Sequence, residues 1–257
     1  MTKKLTIKIE KVDNINTSLL RLIAGKKIVI FSSHLDDAVL SCGGLISYLV
    51  KQGSTIEVCS VFTDITDGSS ESITTILKRA GFKDSFSYIK ARKKEDENAL
   101  NFLGVKNITY LDFIDGAWRS DENGNHLYPS SQVGTVLETE NELREKVVSK
   151  LRAYVSQFKN SVFLAPLARG NHVDHQIVRD AVSKVISDVI YYEDFPYSGK
   201  FDNQDEFISN RKLIKHTWSS DLEEKRDAIL LYKTQEESFR VFLDGSFNLS
   251  TETYYSK

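Results

Sequence analysis

The sequence predicts an α/β protein built on a Rossmann-like, doubly wound and mostly parallel sheet. Three observations carry that prediction. Short runs of apolar and β-branched residues alternate with longer stretches of helical periodicity along most of the chain. Glycines such as Gly53 and Gly104 stand where helical stretches should stop. Each strand-like run is followed by a helix-like one before the next, which makes parallel, right-handed connections the expected topology. At 257 residues and 40% hydrophobic content the chain can bury a sizeable core, and one domain over residues 1–257 is expected.

Taken in order, residues 27–31 (Lys-Ile-Val-Ile-Phe) are short, apolar and β-branched, as a strand buried on both faces should be. Residues 38–51 carry apolar side chains at helical spacing and end before Gly53, and residues 56–62 repeat the strand pattern. A helix over 88–103 closed by Gly104, a strand over 108–111, a helix over 139–158 and a strand over 161–165 follow. Then come a helix over 172–186 and a strand over 189–192. Farther on, 213–218 reads as a strand and 222–233 as a helix, while the last twenty residues show no decisive period. Two stretches, 64–87 and 113–137, are rich in small, polar or turn-forming residues and read as long loops of the kind that form lids or binding surfaces.

Composition excludes several classes. The 34 basic and 36 acidic side chains nearly cancel, without a block of like charges, which argues against nucleic-acid and membrane-surface binding. Residues 1–14 lack the continuous apolar stretch of a secretory signal, and runs such as 28–31 are too short to span a bilayer. A cytoplasmic protein without membrane insertion is expected. Cys42 and Cys59 have neither the number nor the spacing of a disulfide framework or a thiolate zinc site, and read as reduced, buried residues.

In open α/β sheets ligands bind beyond the carboxyl ends of the strands, and the first strand runs directly into Ser32-Ser-His-Leu-Asp-Asp-Ala38. Across that turn the His34 imidazole and the Asp37 carboxylate can converge on one cation while Asp36 points elsewhere. A second cluster, Gly170-Asn-His-Val-Asp-His-Gln176, also follows a strand and opens a helix; there His172 and His175 are three apart on one face. Two histidines and one carboxylate would leave coordination positions open, as in catalytic rather than structural zinc sites. Each piece alone has a plainer explanation, because a carboxylate at a helix start is commonly a cap or a dipole partner. Yet three of the five histidines, His34, His172 and His175, fall at strand ends beside aspartates, leaving His126 and His216 elsewhere. That combination favours a metal site.

The segments HLDD and HVDH, in this order and spacing, resemble the PIG-L/LmbE-like deacetylases, zinc hydrolases acting on N-acetylated amino sugars and related amides. The resemblance runs from about residue 28 to 235 and includes Val61-Phe-Thr63, Arg92-Lys-Lys-Glu95, Tyr191-Tyr-Glu-Asp-Phe-Pro-Tyr197 and the Tyr-Lys-Thr-Gln that ends at Gln235. It implies His34, Asp37 and His175 as metal ligands and Asp36 as the general base acting on metal-activated water. It further implies that His172 stabilises the tetrahedral intermediate or protonates the leaving amine, that Asp174 orients a histidine, and that Arg92 contacts substrate. Arg92 read by itself is a solvated basic residue of a charged helix. The commoner family form is HPDDE; here Leu35 and Ala38 replace its proline and glutamate, and no ligand or base is missing.

The implied cofactor is Zn2+, with Fe2+ or Co2+ also suited to such a donor set. The implied partner is a small N-acylated molecule such as an amino sugar or glycoconjugate. In the 113–137 stretch Trp118 and Tyr128 are candidates to stack on a sugar, and Asp115, Arg119 and Asn123 to bind hydroxyls; Trp118 serves equally as a loop anchor. Two other readings compete: a non-catalytic metal-binding protein on the same fold, and an amidohydrolase of a non-sugar metabolite. A nucleotide-binding module fits poorly, since Ser41-Cys-Gly-Gly44 supplies no phosphate loop and Asp36 and Asp37 would repel phosphate.

Overall fold

The computed structural model describes residues 17–197, 204–238 and 251–257, and the reading of residues 1–14 lies outside them. A short helix α1 (Thr17–Ile23) leads into β1 (Ile28–Ser32), α2 (Asp37–Lys51) and β2 (Ile56–Asp64). Next come α3 (Glu71–Ala80), α4 (Ser85–Phe102), β3 (Asn107–Ile114), α5 (Asn141–Val155), β4 (Val162–Pro166), α6 (Val173–Val185) and β5 (Val189–Tyr192). The remaining elements are α7 (Asp205–Arg211), β6 (Ile214–Trp218), α8 (Leu222–Ile229) and β7 (Glu252–Ser256). The seven strands form one sheet in the order β3-β2-β1-β4-β5-β7-β6. The first five pair in parallel, and β7 runs antiparallel to both of its neighbours, β5 and β6.

The apolar strands are continuous because both sheet faces are covered, and alternate residues serve different cores. Ile28, Ile30, Ile56, Val58 and Leu164 join residues of α1, α2, α4 and α8 on one face. Val29, Phe31, Cys59, Val61, Phe163 and Ala165 join residues of α5 and α6 on the other. Each fully buried aliphatic side chain contributes about 1.5–3 kcal/mol. Cys42 and Cys59 are free and buried, as expected. No helix among the described residues is long and apolar enough to cross a membrane.

The stretch 64–87 is not one long loop. It contains α3, which opens where the Ser70 hydroxyl accepts the Ile73 N–H (3.1 Å) and closes at Gly81 in the left-handed region (φ 75°). Its single turn of apolar spacing, Ile73, Ile76 and Leu77, lies among Ser and Thr; Ile73 packs in a small third cluster with Tyr88 and Trp118. The next helix begins at Ser85 rather than 88, because Asp84 caps it through the Ser87 N–H (2.8 Å). The stretch 113–137 does remain irregular, with a short 3₁₀ turn at Gly116–Trp118.

The sheet order places the switch point between β1 and β4: α2 leaves β1 toward one face and α6 leaves β4 toward the other. The crevice between their first turns is where doubly wound folds bind ligands.

Candidate active site and metal centre

Beyond β1 the Ser32 hydroxyl closes the turn, donating to the His34 carbonyl (2.7 Å) and accepting the Ala38 N–H (3.0 Å). The turn holds Asp36 at φ 147°, ψ −31°, a conformation costing a non-glycine residue about 1–3 kcal/mol. Asp36 caps no helix N–H despite its position before α2. The Asp37 carboxylate instead turns back: its Oδ2 accepts the His34 N–H (2.9 Å) and lies 3.3 Å from His34 Nδ1 and 3.2 Å from His175 Nε2. Helix capping, the plainer explanation for these aspartates, is therefore not their role.

Beyond β4 the chain makes a tight loop with Ala168, Gly170 and Asn171 all at positive φ. Gly170 is required twice over: its φ is 79°, and a Cβ there would lie 2.6 Å from three atoms of Tyr197. Gly170→Ala is expected to lower the unfolding free energy by at least about 1–2 kcal/mol and to displace Tyr197, which thermal unfolding and turnover would register. The loop delivers His172 as the residue before α6, where its Nδ1 accepts the Asp174 N–H (3.2 Å). His175 follows one turn later and is buried.

Each ring that meets Asp37 is held from behind by a buried carboxylate. Asp174 Oδ2 lies 2.9 Å from His34 Nε2 and accepts the Gly116 N–H (2.9 Å), while Asp174 Oδ1 is paired with Arg119 Nη1 (2.6 Å). Asp194 Oδ1 lies 2.6 Å from His175 Nδ1, and its Oδ2 accepts the Arg169 N–H (2.9 Å). The histidine that Asp174 contacts is His34, 140 residues away. Asp194 was missed. It lies in the Tyr191–Tyr197 segment just past β5, and an acidic residue beyond a strand's carboxyl end was the available signal.

The arrangement fits a metal ion. A tetrahedral ion holding donors at roughly 2.0–2.1 Å separates them by about 3.3 Å, the spacing Asp37 Oδ2 keeps from each ring nitrogen. Second-layer carboxylates of this kind fix tautomer and basicity in metal-binding histidines. His34, His172 and His175 offer ring nitrogens within 4.8 Å of one another, and His34, Asp115 and Asp174 offer one ring nitrogen and two carboxylate oxygens within the same distance. The set containing Asp37 is preferred because its carboxylate already bridges two rings whose other nitrogens are occupied.

Charge is balanced around that point. Burial opposes a charged His34, but Asp174 and Asp37 outweigh it and hold its pKa well above the ordinary value. Burial likewise opposes a charged His175, and Asp37 with Asp194 raises it to about 10. His172 goes the other way: burial and the neighbouring charges of His34 and His175 keep it well below its ordinary value. With Nδ1 accepting from the backbone, a neutral His172 carries its proton on Nε2. Burial pushes Asp36 up to about 7, with Arg92 pulling down and Asp37 pushing up.

These groups line one cavity of about 390 Å³. Arg92 belongs to it with only 11% of its side chain exposed, not the solvated helix residue its neighbours suggest. Its Nη2 contacts Asp36 Oδ2 (2.9 Å) and the Leu35 carbonyl, and its Nη1 donates to the Tyr88 hydroxyl (3.0 Å). Asp115 lines the cavity with Oδ2 3.7 Å from His34 Nε2. Trp118 lines it too, as an anchor: its indole N–H is donated to Ser85 Oγ (2.9 Å) and its ring stacks on Tyr88. Arg119 and Tyr128 do not line it. Arg119 is bound to Asp174 and Glu140, and Tyr128 donates to the same Glu140 (2.5 Å). Asn123 sits exposed in a turn made by Asp121. Lining residues that sequence reasoning missed include Tyr88, Phe195, Tyr197, Thr234 and Gln235.

Residues 29–186, which contain both histidine-bearing turns, match the family model PIG-L, GlcNAc-PI de-N-acetylase. The chain belongs to the PIG-L family. This family member is 28% identical over 190 residues to a 2'-N-acetylparomamine deacetylase of Streptomyces fradiae, a match covering 72% of this chain and 62% of that protein. The chain therefore spans less than two thirds of that relative's length. It is 24% identical over 230 residues to a 2'-N-acetylparomamine deacetylase of Niallia circulans, covering 82% and 81% of the two chains. The solved structure of the zinc inhibited form of teicoplanin deacetylase Orf2 aligns with a TM-score of 0.74 at 23% identity, over 90% of this chain and 97% of that one. At that identity the likeness establishes the fold.

Proposed function

We propose that this PIG-L family protein is a metal-dependent N-deacetylase that removes an acetyl or related acyl group from the nitrogen of an amino sugar or similar small amide. The observation that carries this reading is the division of labour between adjacent aspartates: Asp37 Oδ2 meets His34 (3.3 Å) and His175 (3.2 Å), while Asp36 faces the same cavity and pairs with Arg92. A purely structural metal site has no use for the second carboxylate. The names of the two curated relatives point to the same reaction class.

His34, Asp37 and His175 would hold a divalent ion, zinc foremost, with Fe2+ or Co2+ also suited to the donor set. Such an ion, when bound, supplies Lewis acidity at neutral pH. Asp36 takes the proton of the attacking water and returns it to the departing amine, because burial keeps its basicity closer to neutrality than that of an ordinary carboxylate. Arg92 fixes that carboxylate's orientation. His172, neutral with Nε2–H available, donates to the developing oxyanion rather than acting as a standing imidazolium. Asp174 and Asp194 hold the two ligating rings.

The same charges predict a proton count. At pH 7 the metal-free protein carries protons on both His34 and His175, so loading the ion must expel about two protons. Affinity should then rise with pH up to about 10 and fall as acid returns those protons. Calorimetry in buffers of different ionisation enthalpy measures this count; no proton release would remove these rings from the ligand set.

Turnover on a panel of N-acetylated sugars and non-sugar amides, with chelator and after adding metal back, tests the function. Acetate release that needs the metal supports the reading. Bound metal without turnover on any member contradicts it.

A further inference from the structure

A second cavity, of about 490 Å³, opens between α6, α7 and residues 134–135. Arg179 of α6 and Arg211 at the end of α7 both line it, and both rest on one ring. The Arg211 guanidinium lies 3.8 Å and the Arg179 guanidinium 4.6 Å from the centre of Phe207. Phe207 and Arg211 meet because they are four residues apart on one helix. The two cations are therefore within about 8.4 Å of each other.

Like charges this close repel unless an anion lies beside them. The carboxylates at hand do not fill that role. Asp180 meets Arg179 Nε (2.8 Å) and does not line the cavity. Glu206 lines it but pairs with neither arginine among the described residues; its carboxylate accepts the Asn210 side-chain amide (3.4 Å). Arg179 Nη1 donates to Gln204 Oε1, whose amide nitrogen donates to Asn171 Oδ1 (2.9 Å). With Phe207, Asp180 and Gln204 holding it, Arg179 is 12% exposed in its side chain and presents a preset Nη2 edge without a partner among the described residues. The Arg211 guanidinium has neither a hydrogen bond nor an ion pair among them. Burial raises the Tyr191 hydroxyl, and Ser183, Arg211 and Arg179 pull it back, so the positive field of the pair reaches β5.

This cavity shares a wall with the catalytic one. Asn171 and Gly134 line it, while His172 and Gln132 line the catalytic cavity. Val133, between Gln132 and Gly134, bridges to His172.

We propose that Arg179 and Arg211 form a binding site for a phosphoryl group beside the catalytic cavity. One guanidinium fork saturates the two oxygens of a carboxylate, whereas two forks match a group with three terminal oxygens and nearly two negative charges. The group arrives either on a substrate that spans both cavities or as free phosphate.

Calorimetric titration of the zinc-loaded full chain with inorganic phosphate, in a phosphate-free buffer, tests the site. Wild type should show saturable binding that Arg211→Gln weakens about 10- to 100-fold, the value of a charge-assisted hydrogen bond. Arg211→Lys should recover part of it, because the charge returns without the fork. Arg211 is exposed, so these variants keep the fold. Phosphate bound equally by wild type, Arg211→Gln and Arg179→Gln would sit elsewhere, the metal included, and overturns the proposal. Acetate bound as tightly as phosphate, or no saturable phosphate binding to wild type, overturns it too. Turnover of N-acetylglucosamine and N-acetylglucosamine 1-phosphate separates the two sources. A KM raised by Arg211→Gln for the phosphorylated sugar alone assigns the group to a substrate; lost phosphate binding with both KM values unchanged assigns the site to a free ion. The titration itself needs no turnover, so failure of the deacetylase reading leaves its result intact.

Discussion

Asp36→Asn is expected to lower kcat by about 10²- to 10⁴-fold while leaving bound metal near one equivalent. The carboxylate is the proposed carrier of the proton from water to amine, and the amide that replaces it can neither accept nor return one. It can still accept from Arg92, so the cavity wall and the ligand set stay in place. The acid limb of the pH–rate profile should change with it. Asp36 must be ionised to act, so wild-type turnover falls as pH drops through its pKa, which burial has raised. In the variant the residual rate should lose that limb. Metal analysis with the profile distinguishes a lost base from a lost ion, and full activity in Asp36→Asn would assign the proton to another group.

His175→Ala should abolish stoichiometric metal binding, and Asp194→Asn should weaken it by about 10- to 100-fold. The two differ in kind. His175 presents Nε2 to Asp37 (3.2 Å), whereas Asp194 acts only through the ring, bonding Nδ1 (2.6 Å). Activity in Asp194→Asn should therefore recover at high metal concentration, which His175→Ala should not permit. Competition with a chromogenic chelator measures both affinities. Unchanged affinity in either variant would contradict its assignment.

How far the sequence could be read follows from where the information lies. β1, β2, β4 and β5 and the helices α2 and α6 were legible because their residues are buried by local pattern: β-branched runs bounded by turn residues, and helical spacing ended by a stop. α3 was hidden because its apolar face is a single turn, Ile73, Ile76 and Leu77, among Ser and Thr; what makes it a helix is the Ser70 cap and packing on Trp118 from another part of the chain. β7 was illegible for the same reason, since it is defined by pairing with β5 and β6, and only distant contacts specify that.

The site divides in the same way. His34, Asp36, Asp37, His172, Asp174 and His175 sit at strand ends in dense chemical clusters, and the fold gathers all six at one crevice. Residues chosen from loop composition lie in different surroundings. Asp115 lines the cavity and Trp118 lines it as an anchor, but Arg119 and Tyr128 are spent on Glu140. Composition reports that a loop has polar and aromatic groups, not which of them are already bonded. Arg92 read by itself looks like an ordinary surface charge, and Asp194 offers only its place beyond a strand end; the fold brings them against Asp36 and His175.

The central claim is that Asp37 binds the ion and its neighbour Asp36 does not. Diffraction from crystals grown with one equivalent of zinc, recorded on both sides of the zinc absorption edge, tests it most directly. One anomalous peak is expected within coordinating distance of Asp37 Oδ2, His34 Nδ1 and His175 Nε2, with Asp36 outside that shell. A peak held by Asp36, or one seated between His34, Asp115 and Asp174, would contradict it.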